Sequence, residues 1–177
     1  MGASGSDYTS TTHDLSGTWV LSGNTSVKGN MAFLQQHFGV APQFDFSGTS
    51  GALMVTWRAT GKTSVTAGWQ RSLVSYQTAG TTHTQTDSYT VGPAWQMSPK
   101  TSLRLQYRYA VRGDQGNPTG VPTARQDRTQ DTSLSYSWQP HPLATLSATV
   151  GDSARSANVA NADYTARQLT LAAQFAF

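Results

Sequence analysis

Cysteine and glutamate are absent from this 177-residue sequence, and lysine occurs only three times. Without cysteine the chain can form neither a disulfide bond nor a cysteine-ligated metal site. No segment approaches the roughly 18 consecutive apolar residues that a transmembrane helix needs, and no apolar signal-peptide core follows Met1. These absences exclude a helical membrane protein and a disulfide-stabilised domain.

Charged residues are sparse and dispersed. The formal net charge is +3, and the basic residues lie in several separate segments. A continuous basic surface is typical of nucleic-acid binding, so we expect no nucleic-acid partner. The sequence contains no His-x-x-x-His pair, no acidic calcium loop and no glycine-rich nucleotide motif. We therefore expect no metal and no cofactor.

Threonine, serine, glycine and aromatic residues recur throughout, and they favour strands and tight turns over helices. Apolar and polar residues alternate along most of the chain, most clearly over residues 101–112. Such a period of two places one set on each side of a β-strand. The apolar set is Leu103, Leu105, Tyr107, Tyr109 and Val111, and the polar set is Ser102, Arg104, Gln106 and Arg108.

Tryptophan recurs with a period of about forty residues, at Trp19, Trp57, Trp95 and Trp138, each a few residues before a short turn. Longer polar connections lie at 39–45, 80–85, 115–126 and 152–163. Short turns at one end and long loops at the other are typical of outer-membrane barrels, which carry an aromatic girdle at each edge of the bilayer. We expect these tryptophans to form one girdle. Candidates for the other are Phe33, Tyr76, Tyr89, Tyr109 and Tyr164.

The last residues alternate up to a terminal aromatic carboxylate, with Leu169, Leu171, Phe175 and Phe177 on one side. This ending resembles the β-signal of outer-membrane proteins, and the resemblance implies the barrel-assembly machinery as a partner. A soluble protein rarely leaves such an apolar edge at a free terminus, because the edge invites pairing with another chain.

We therefore predict an all-β protein, an antiparallel up-and-down transmembrane β-barrel in the bilayer of the bacterial outer membrane. Residues 1–7 form a flexible N-terminal linker and residues 8–177 form the barrel. Because single-chain bacterial barrels have an even strand number, either the chain is part of a larger barrel, which we prefer, or residues 25–177 form eight strands. The nine predicted strands are 8–22, 25–38, 46–60, 63–79, 86–98, 101–114, 128–139, 144–152 and 163–177.

In such a barrel the apolar side of each strand faces lipid and the polar side lines the lumen. Arg71 conflicts with this pattern, because it is in phase with apolar residues, and a charge at the bilayer midplane costs about 2 to 4 kcal/mol. We expect a bulge, or a side chain that extends to the rim, to relieve this cost. The predicted basic residues of the lumen are Lys28, Arg58, Arg104, Arg108 and Arg112.

A basic lumen favours the passage of anionic solutes or acidic sugars. The alternative is that the arginines only fill the lumen by pairing with Asp14, Asp87 and Asp131, and the sequence leaves both possibilities open. A generic porin-like or structural barrel is a further alternative.

Two other classes of function are disfavoured. An outer-membrane enzyme needs histidine, serine and carboxylate groups together at the rim, and no spacing ties His13, His37 or His83 to a nucleophile. We expect no enzyme. A soluble β-sandwich binding module would require the tryptophan spacing and the terminal phenylalanine to be coincidental.

The segment 57–65, WRATGKTSV, and its echo at 95–103, WQMSPKTSL, resemble the hairpins of the exosortase-B-associated exopolysaccharide barrel family, often called EpsL. Shorter pieces at 75–77, 91–95, 106–109 and 163–164 occur in an order similar to that family. The resemblance implies an outer-membrane component associated with exopolysaccharide biosynthesis and export. Because members are longer than this chain, it also implies that these residues cover the C-terminal portion.

Overall fold

The computed structural model describes residues 8–78, 81–116 and 125–176, without the side chains of residues 76–78. The linker at 1–7 and Phe177 lie outside the described residues. Nine strands form a single sheet in which each strand pairs antiparallel with its neighbours along the chain, so the predicted all-β, up-and-down architecture is confirmed. The strands are β1 Tyr8–Ser22, β2 Thr25–Phe38, β3 Phe46–Arg58, β4 Thr63–Thr78, β5 Thr81–Ser98, β6 Thr101–Gln115, β7 Gln126–His141, β8 Ala144–Ala157 and β9 Tyr164–Phe175.

Several strands are longer than the sequence pattern predicted. β5 begins at Thr81, because the alternating threonines before Asp87 continue the ladder to β4. β8 continues to Ala157, which pairs with Asp127. The predicted connection at 80–85 is therefore wrong, and the one at 152–163 shortens to 158–163. The connection at 39–45 is observed and contains a 3-10 helix at Pro42–Phe44. Within the described residues, no helix has the length and apolarity to cross a membrane.

Hydroxyl side chains stabilise the tight turns at one end of the sheet. Between β3 and β4, Thr60 Oγ1 accepts hydrogen bonds from the backbone N–H groups of Lys62 and Thr63, at 3.1 and 3.0 Å. Between β5 and β6, Ser98 Oγ accepts one from the N–H of Lys100 at 3.2 Å. We call this end the tight-turn end and the opposite end the loop end.

The two sides of the sheet differ sharply in chemistry. The apolar face carries the tryptophans and most of the large aliphatic side chains, and many of these are exposed: Leu15 is 77% exposed and Leu171 is 74% exposed. The polar face carries mainly serine, threonine, glycine and arginine. Among the described residues only Phe38, Phe46 and Ala110 are buried hydrophobics. The sheet therefore lacks the apolar core that a soluble sandwich requires.

Four of the five tryptophans, Trp19, Trp57, Trp95 and Trp138, form a staircase across the sheet on β1, β3, β5 and β7. On β3, Val55 shares a row with Trp19, and Trp57 lies two residues closer to the tight-turn end than Val55. The same shift of two residues separates each later tryptophan from the row of the tryptophan before it. Two residues correspond to about 6.8 Å along the strand, and two strands correspond to about 9.6 Å across the sheet. With these steps the tryptophans lie at one height when the strands tilt by about 35° from the barrel axis, a tilt within the range of outer-membrane barrels. Phe175 continues the staircase on β9. The connecting rows are Trp19, Val27 and Val55; Trp57, Val65 and Pro93; Trp95, Leu103 and Tyr136; and Trp138, Leu146 and Ala173.

These five residues form the aromatic belt, and a polar ring runs parallel to it. Eight residues from each belt residue towards the loop end, every odd-numbered strand carries a polar side chain on the apolar face. With 35° tilt, eight residues correspond to a height of about 22 Å, close to the roughly 25 Å apolar band of outer-membrane barrels. The ring residues are Thr11, Thr49, Asp87, Gln130 and Arg167.

At the loop end the sheet divides between β3 and β4. Their ladder stops at the pair of Gly51 with Arg71, whereas β2 stays paired with β3 as far as Phe46 and β4 stays paired with β5 beyond Ser75. The end of β3 instead lies against the apolar side of the β4 and β5 hairpin, where a Cβ at Gly48 would be 2.5 Å from Leu73 Cδ1. The loop end is therefore two layers thick there.

Candidate functional site

The charged side chains of the polar face form the candidate site. All five basic residues predicted for the lumen lie on this face, because each alternates with apolar-face neighbours in the observed register. Arg104, Arg108 and Arg112 follow one another along β6, about 14 Å apart for each four residues. They form a basic column that runs most of the length of the strand.

Carboxylates on β6 and β7 partly neutralise this column. Arg108 Nη1 lies 3.8 Å from Asp131 Oδ2, and Asp131 Oδ1 accepts a hydrogen bond from Ser153 Oγ at 2.6 Å. On β6 itself, Arg112 Nη2 lies 3.8 Å from Asp114 Oδ1, a buried oxygen that has no hydrogen-bond partner among the described residues. The carboxylates thus neutralise only part of the positive charge of the column, since Arg104 makes no ion pair within the part of the chain that the structure describes.

Asp127 organises the charge nearest the loop end. Its side chain is only 3% exposed. Its Oδ1 lies 3.1 Å from Arg125 Nε, and its Oδ2 accepts a short hydrogen bond from Arg155 Nη2. Two guanidinium groups therefore share one carboxylate, which leaves a surplus positive charge beside Arg112, the row partner of Asp127 on β6.

Arg125 and Arg155 were not predicted as lumen residues, because both fall in segments that the sequence pattern assigned to connections. A usable signal exists for Arg155, which is in phase with Gly151 and Ser153 once β8 continues beyond Asp152. Within the described residues, the polar face carries seven basic side chains and four carboxylates, an excess of three positive charges. The basic residues are Lys28, Arg58, Arg104, Arg108, Arg112, Arg125 and Arg155, and the acidic ones are Asp14, Asp114, Asp127 and Asp131.

A groove of about 350 Å³ lies beside the middle of the column. Arg108 and Asp131 line it together with Gln106, Ser153 and Gln168. These side chains combine a cation, a carboxylate, amides and a hydroxyl, so the groove offers both hydrogen-bond donors and acceptors. No group of three or more histidine or carboxylate side chains suited to a metal ion occurs within residues 8–78, 81–116 and 125–176.

Arg71 is accommodated on the apolar face by an ion pair, not by a bulge. Its Nε and Nη2 donate to Asp87 Oδ1 and Oδ2 at 2.7 and 3.1 Å, and the ladder between β4 and β5 is regular at this point. The guanidinium carbon also lies 5.9 Å from the Trp69 ring centroid. The alternative in which Asp87 pairs with lumen arginines is therefore wrong.

The second girdle differs from its prediction. Tyr89 and Tyr109 share a row with Trp69, which sequence analysis did not assign to either girdle. Phe33 lies on the apolar face and is exposed. Tyr164 is wrong as a girdle residue, because it pairs with Arg155 and lies on the polar face. The Tyr76 side chain is not among those that the structure describes.

Of the three rim histidines, only His37 pairs with a carboxylate within the described residues. Its Nδ1 lies 2.6 Å from Asp45 Oδ2, and the backbone N–H of Phe38 donates to Asp45 Oδ1 at 2.7 Å. That backbone hydrogen bond is the main reason that the pKa of Asp45 lies below its ordinary value. This arrangement closes the connection at 39–45 onto the end of β2.

Comparison with solved structures finds the outer membrane channel DcaP of Acinetobacter baumannii, with a TM-score of 0.73 and 14% sequence identity. The match covers 98% of this chain and 55% of that chain, so this chain spans about half the length of the channel. No protein-family model and no curated protein matches the sequence. The nine-stranded sheet has the fold of an outer-membrane channel barrel.

Proposed function

We propose that this sheet is part of the wall of a porin-like channel in the bacterial outer membrane, which passes anionic solutes. The observation that carries the proposal is the segregation of charge: seven basic side chains against four carboxylates lie on the polar face, opposite an exposed apolar face. A lumen lined with surplus positive charge concentrates anions and repels cations.

The orientation in the membrane follows from the belt and the ring. Exposed aliphatic side chains between them, such as Leu53, Leu169 and Leu171, favour acyl chains over water. Tryptophan at the belt suits the boundary between lipid and water. The polar face then points to the lumen and the loop end to the outside of the cell. Insertion by the barrel-assembly machinery fits the apolar alternation of β9, and Phe177 of that segment lies outside the described residues.

Closure of the wall requires more strands than these nine. β1 and β9 are the two edge strands of the described sheet, and they do not pair with each other. Because alternate antiparallel strands run in the same direction, β1 and β9 are parallel to each other, and an odd number of additional antiparallel strands joins them without a parallel contact. We propose this mode of closure for the whole barrel.

Acidic polysaccharide is the finer proposal for the solute. It rests on the resemblance to the EpsL family and on the groove beside Arg108, whose amide, hydroxyl and carboxylate groups match the hydroxyl-rich surface of a sugar. Salt-bridge pairing alone does not account for the basic side chains of the polar face, because Lys28, Arg58 and Arg104 make no ion pair among the described residues. These three are free to attract carboxylate groups of a passing polymer.

Single-channel recording in planar bilayers under a salt gradient tests the proposal, with the complete barrel that carries this chain. We expect the reversal potential to indicate anion preference, and substitution of Arg104, Arg108 and Arg112 by glutamine to abolish it. Substitution of the same residues by lysine should preserve the preference. Lys62→Gln, which removes one charge at a tight turn, is the matched control. Cation preference of the unmodified channel would contradict the proposal.

The polymer is tested separately by current block. An acidic polysaccharide added to one side should interrupt the current at concentrations about tenfold below those of a neutral dextran of equal length, since each favourable ionic contact contributes about 1 kcal/mol. Equal block by both polymers would reject the polysaccharide while leaving the anion channel intact.

A further inference from the structure

The charged residues of the apolar face are concentrated near one height of the barrel wall. Asp87 lies eight residues from Trp95 on β5, and Arg167 lies eight residues from Phe175 on β9, so both belong to the polar ring. Asp87 binds Arg71 of the neighbouring strand, and Arg167 Nε donates to Asp152 Oδ2 at 3.0 Å. Two ion pairs therefore lie about 22 Å above the aromatic belt, where the apolar layer ends.

Arg128 adds a cation just above this level. It lies on the apolar face of β7, in the same row as Arg71 and Asp87, and ten residues from Trp138. It is exposed and makes no hydrogen bond or ion pair with any residue in the described ranges. The three arginines outnumber Asp87 and Asp152 by one positive charge.

These arginines retain most of their hydrogen-bonding capacity. A guanidinium group has five N–H donors. Arg71 donates two of them to Asp87, Arg167 donates one to Asp152, and Arg128 donates none within the described residues. The remaining donors lie at the edge of the apolar layer, where an arginine prefers a bidentate oxyanion such as phosphate.

We propose that Arg71, Arg128 and Arg167 form a docking surface for the phosphate groups of outer-leaflet lipid. The proposal rests on the membrane orientation given above, and it adds a specific lipid contact to it. Phosphate suits the position because acyl chains of the same lipid cover the leucines below the ring, so one molecule satisfies both the charged and the apolar parts of the surface.

Arg128 is the residue best suited to a test, because it has no carboxylate partner that its removal would leave unpaired. The probe is a lipid A that carries two phosphates, added to the complete barrel that carries this chain in detergent micelles, with bound lipid measured by native mass spectrometry. We expect Arg128→Gln to weaken binding about tenfold, as for the loss of one charge-assisted hydrogen bond. Lys62→Gln, which removes an exposed cation at a tight turn, should change binding less than twofold.

Three outcomes overturn the proposal: equal binding of the same lipid after dephosphorylation, an equal loss in Lys62→Gln, or complete displacement of the lipid by inorganic phosphate at the same phosphate concentration. Failure of the proposed function would give a different experimental result. A chain that folds as a monomer in detergent-free buffer rejects the membrane orientation itself, whereas a chain that enters micelles and binds both lipids equally rejects only the phosphate contact.

Discussion

Phe46 of β3 stacks on His83 of β5, with ring centroids 4.5 Å apart and ring planes 15° apart. β4 separates these two strands in the order of the sheet. The contact is possible because β3 leaves its ladder with β4 after Gly51 and crosses onto the apolar side of the next hairpin. Side-chain packing, in place of backbone hydrogen bonds to β4, therefore holds this part of β3.

Phe46→Ala should loosen residues 46–50 without unfolding the rest of the sheet. Phe46 is buried, and loss of its packing and its ring contact should ease local opening by about 2 kcal/mol, or roughly thirtyfold. Amide hydrogen exchange in detergent micelles measures this opening. Phe33→Ala, which truncates an exposed phenylalanine on β2, is the control. Unchanged exchange of residues 46–50 in Phe46→Ala would show that the stacking does not hold the strand.

Gly51 marks the point where the two layers diverge, and it has no room for a side chain. A Cβ there would be 2.7 Å from the backbone oxygen of Asn30 and 3.5 Å from Met31 Cα, atoms that cannot move independently of β2. Gly51→Ala should therefore lower the free energy of unfolding by about 1 to 3 kcal/mol. A Cβ at Gly61 would meet nothing within 4 Å, so Gly61→Ala should have little effect. Urea unfolding in micelles compares them, and equal stabilities would contradict the assignment.

Arg71 and Asp87 should behave as a coupled pair in a double-mutant cycle. Either Arg71→Gln or Asp87→Asn leaves one charge near the edge of the lipid layer, where the cost is at most about 1 kcal/mol. The double variant removes both charges, so its loss of stability should be smaller than the sum of the single losses by about 1 kcal/mol. Heat-modifiability on SDS gels, calibrated by urea unfolding, provides the measurement. Additive losses would mean that the ion pair does not stabilise the wall.

Period-two alternation was sufficient to predict which side of the sheet the tryptophans and the five basic residues occupy. These features depend only on which side of a strand a residue occupies. Pairing between charges depends on register and strand length, which alternation does not determine. Arg155 was missed because its strand was predicted to end five residues too early. Asp87 was considered as a partner of lumen arginines, although its place in the alternation puts it opposite Arg71.

The crossing of β3 could not be predicted from the sequence either. The crossing follows from the strand pairing: the ladder between β3 and β4 stops at Gly51, whereas the ladders between β2 and β3 and between β4 and β5 continue. Phe46 and His83 are 37 positions apart, and nothing in their neighbouring residues distinguishes them from other strand residues. Such long-range contacts depend on how strands pack and not on local periodicity.

Acid should open the connection at 39–45, because its closure depends on an ionised Asp45. The backbone N–H of Phe38 donates to this carboxylate and lowers its pKa from the ordinary value of 3.8. A carboxyl group whose pKa is lowered by folding stabilises the folded form fully above that ordinary value, and the stabilisation is lost as pH falls through the lowered value. The Phe38 amide proton should therefore be protected at pH 6 and exchange faster at a pH well below 3.8, after correction for intrinsic rates. Asp45→Asn should show the faster exchange at both pH values, and a Phe38 amide equally protected in both proteins at pH 6 would contradict the role of this carboxylate.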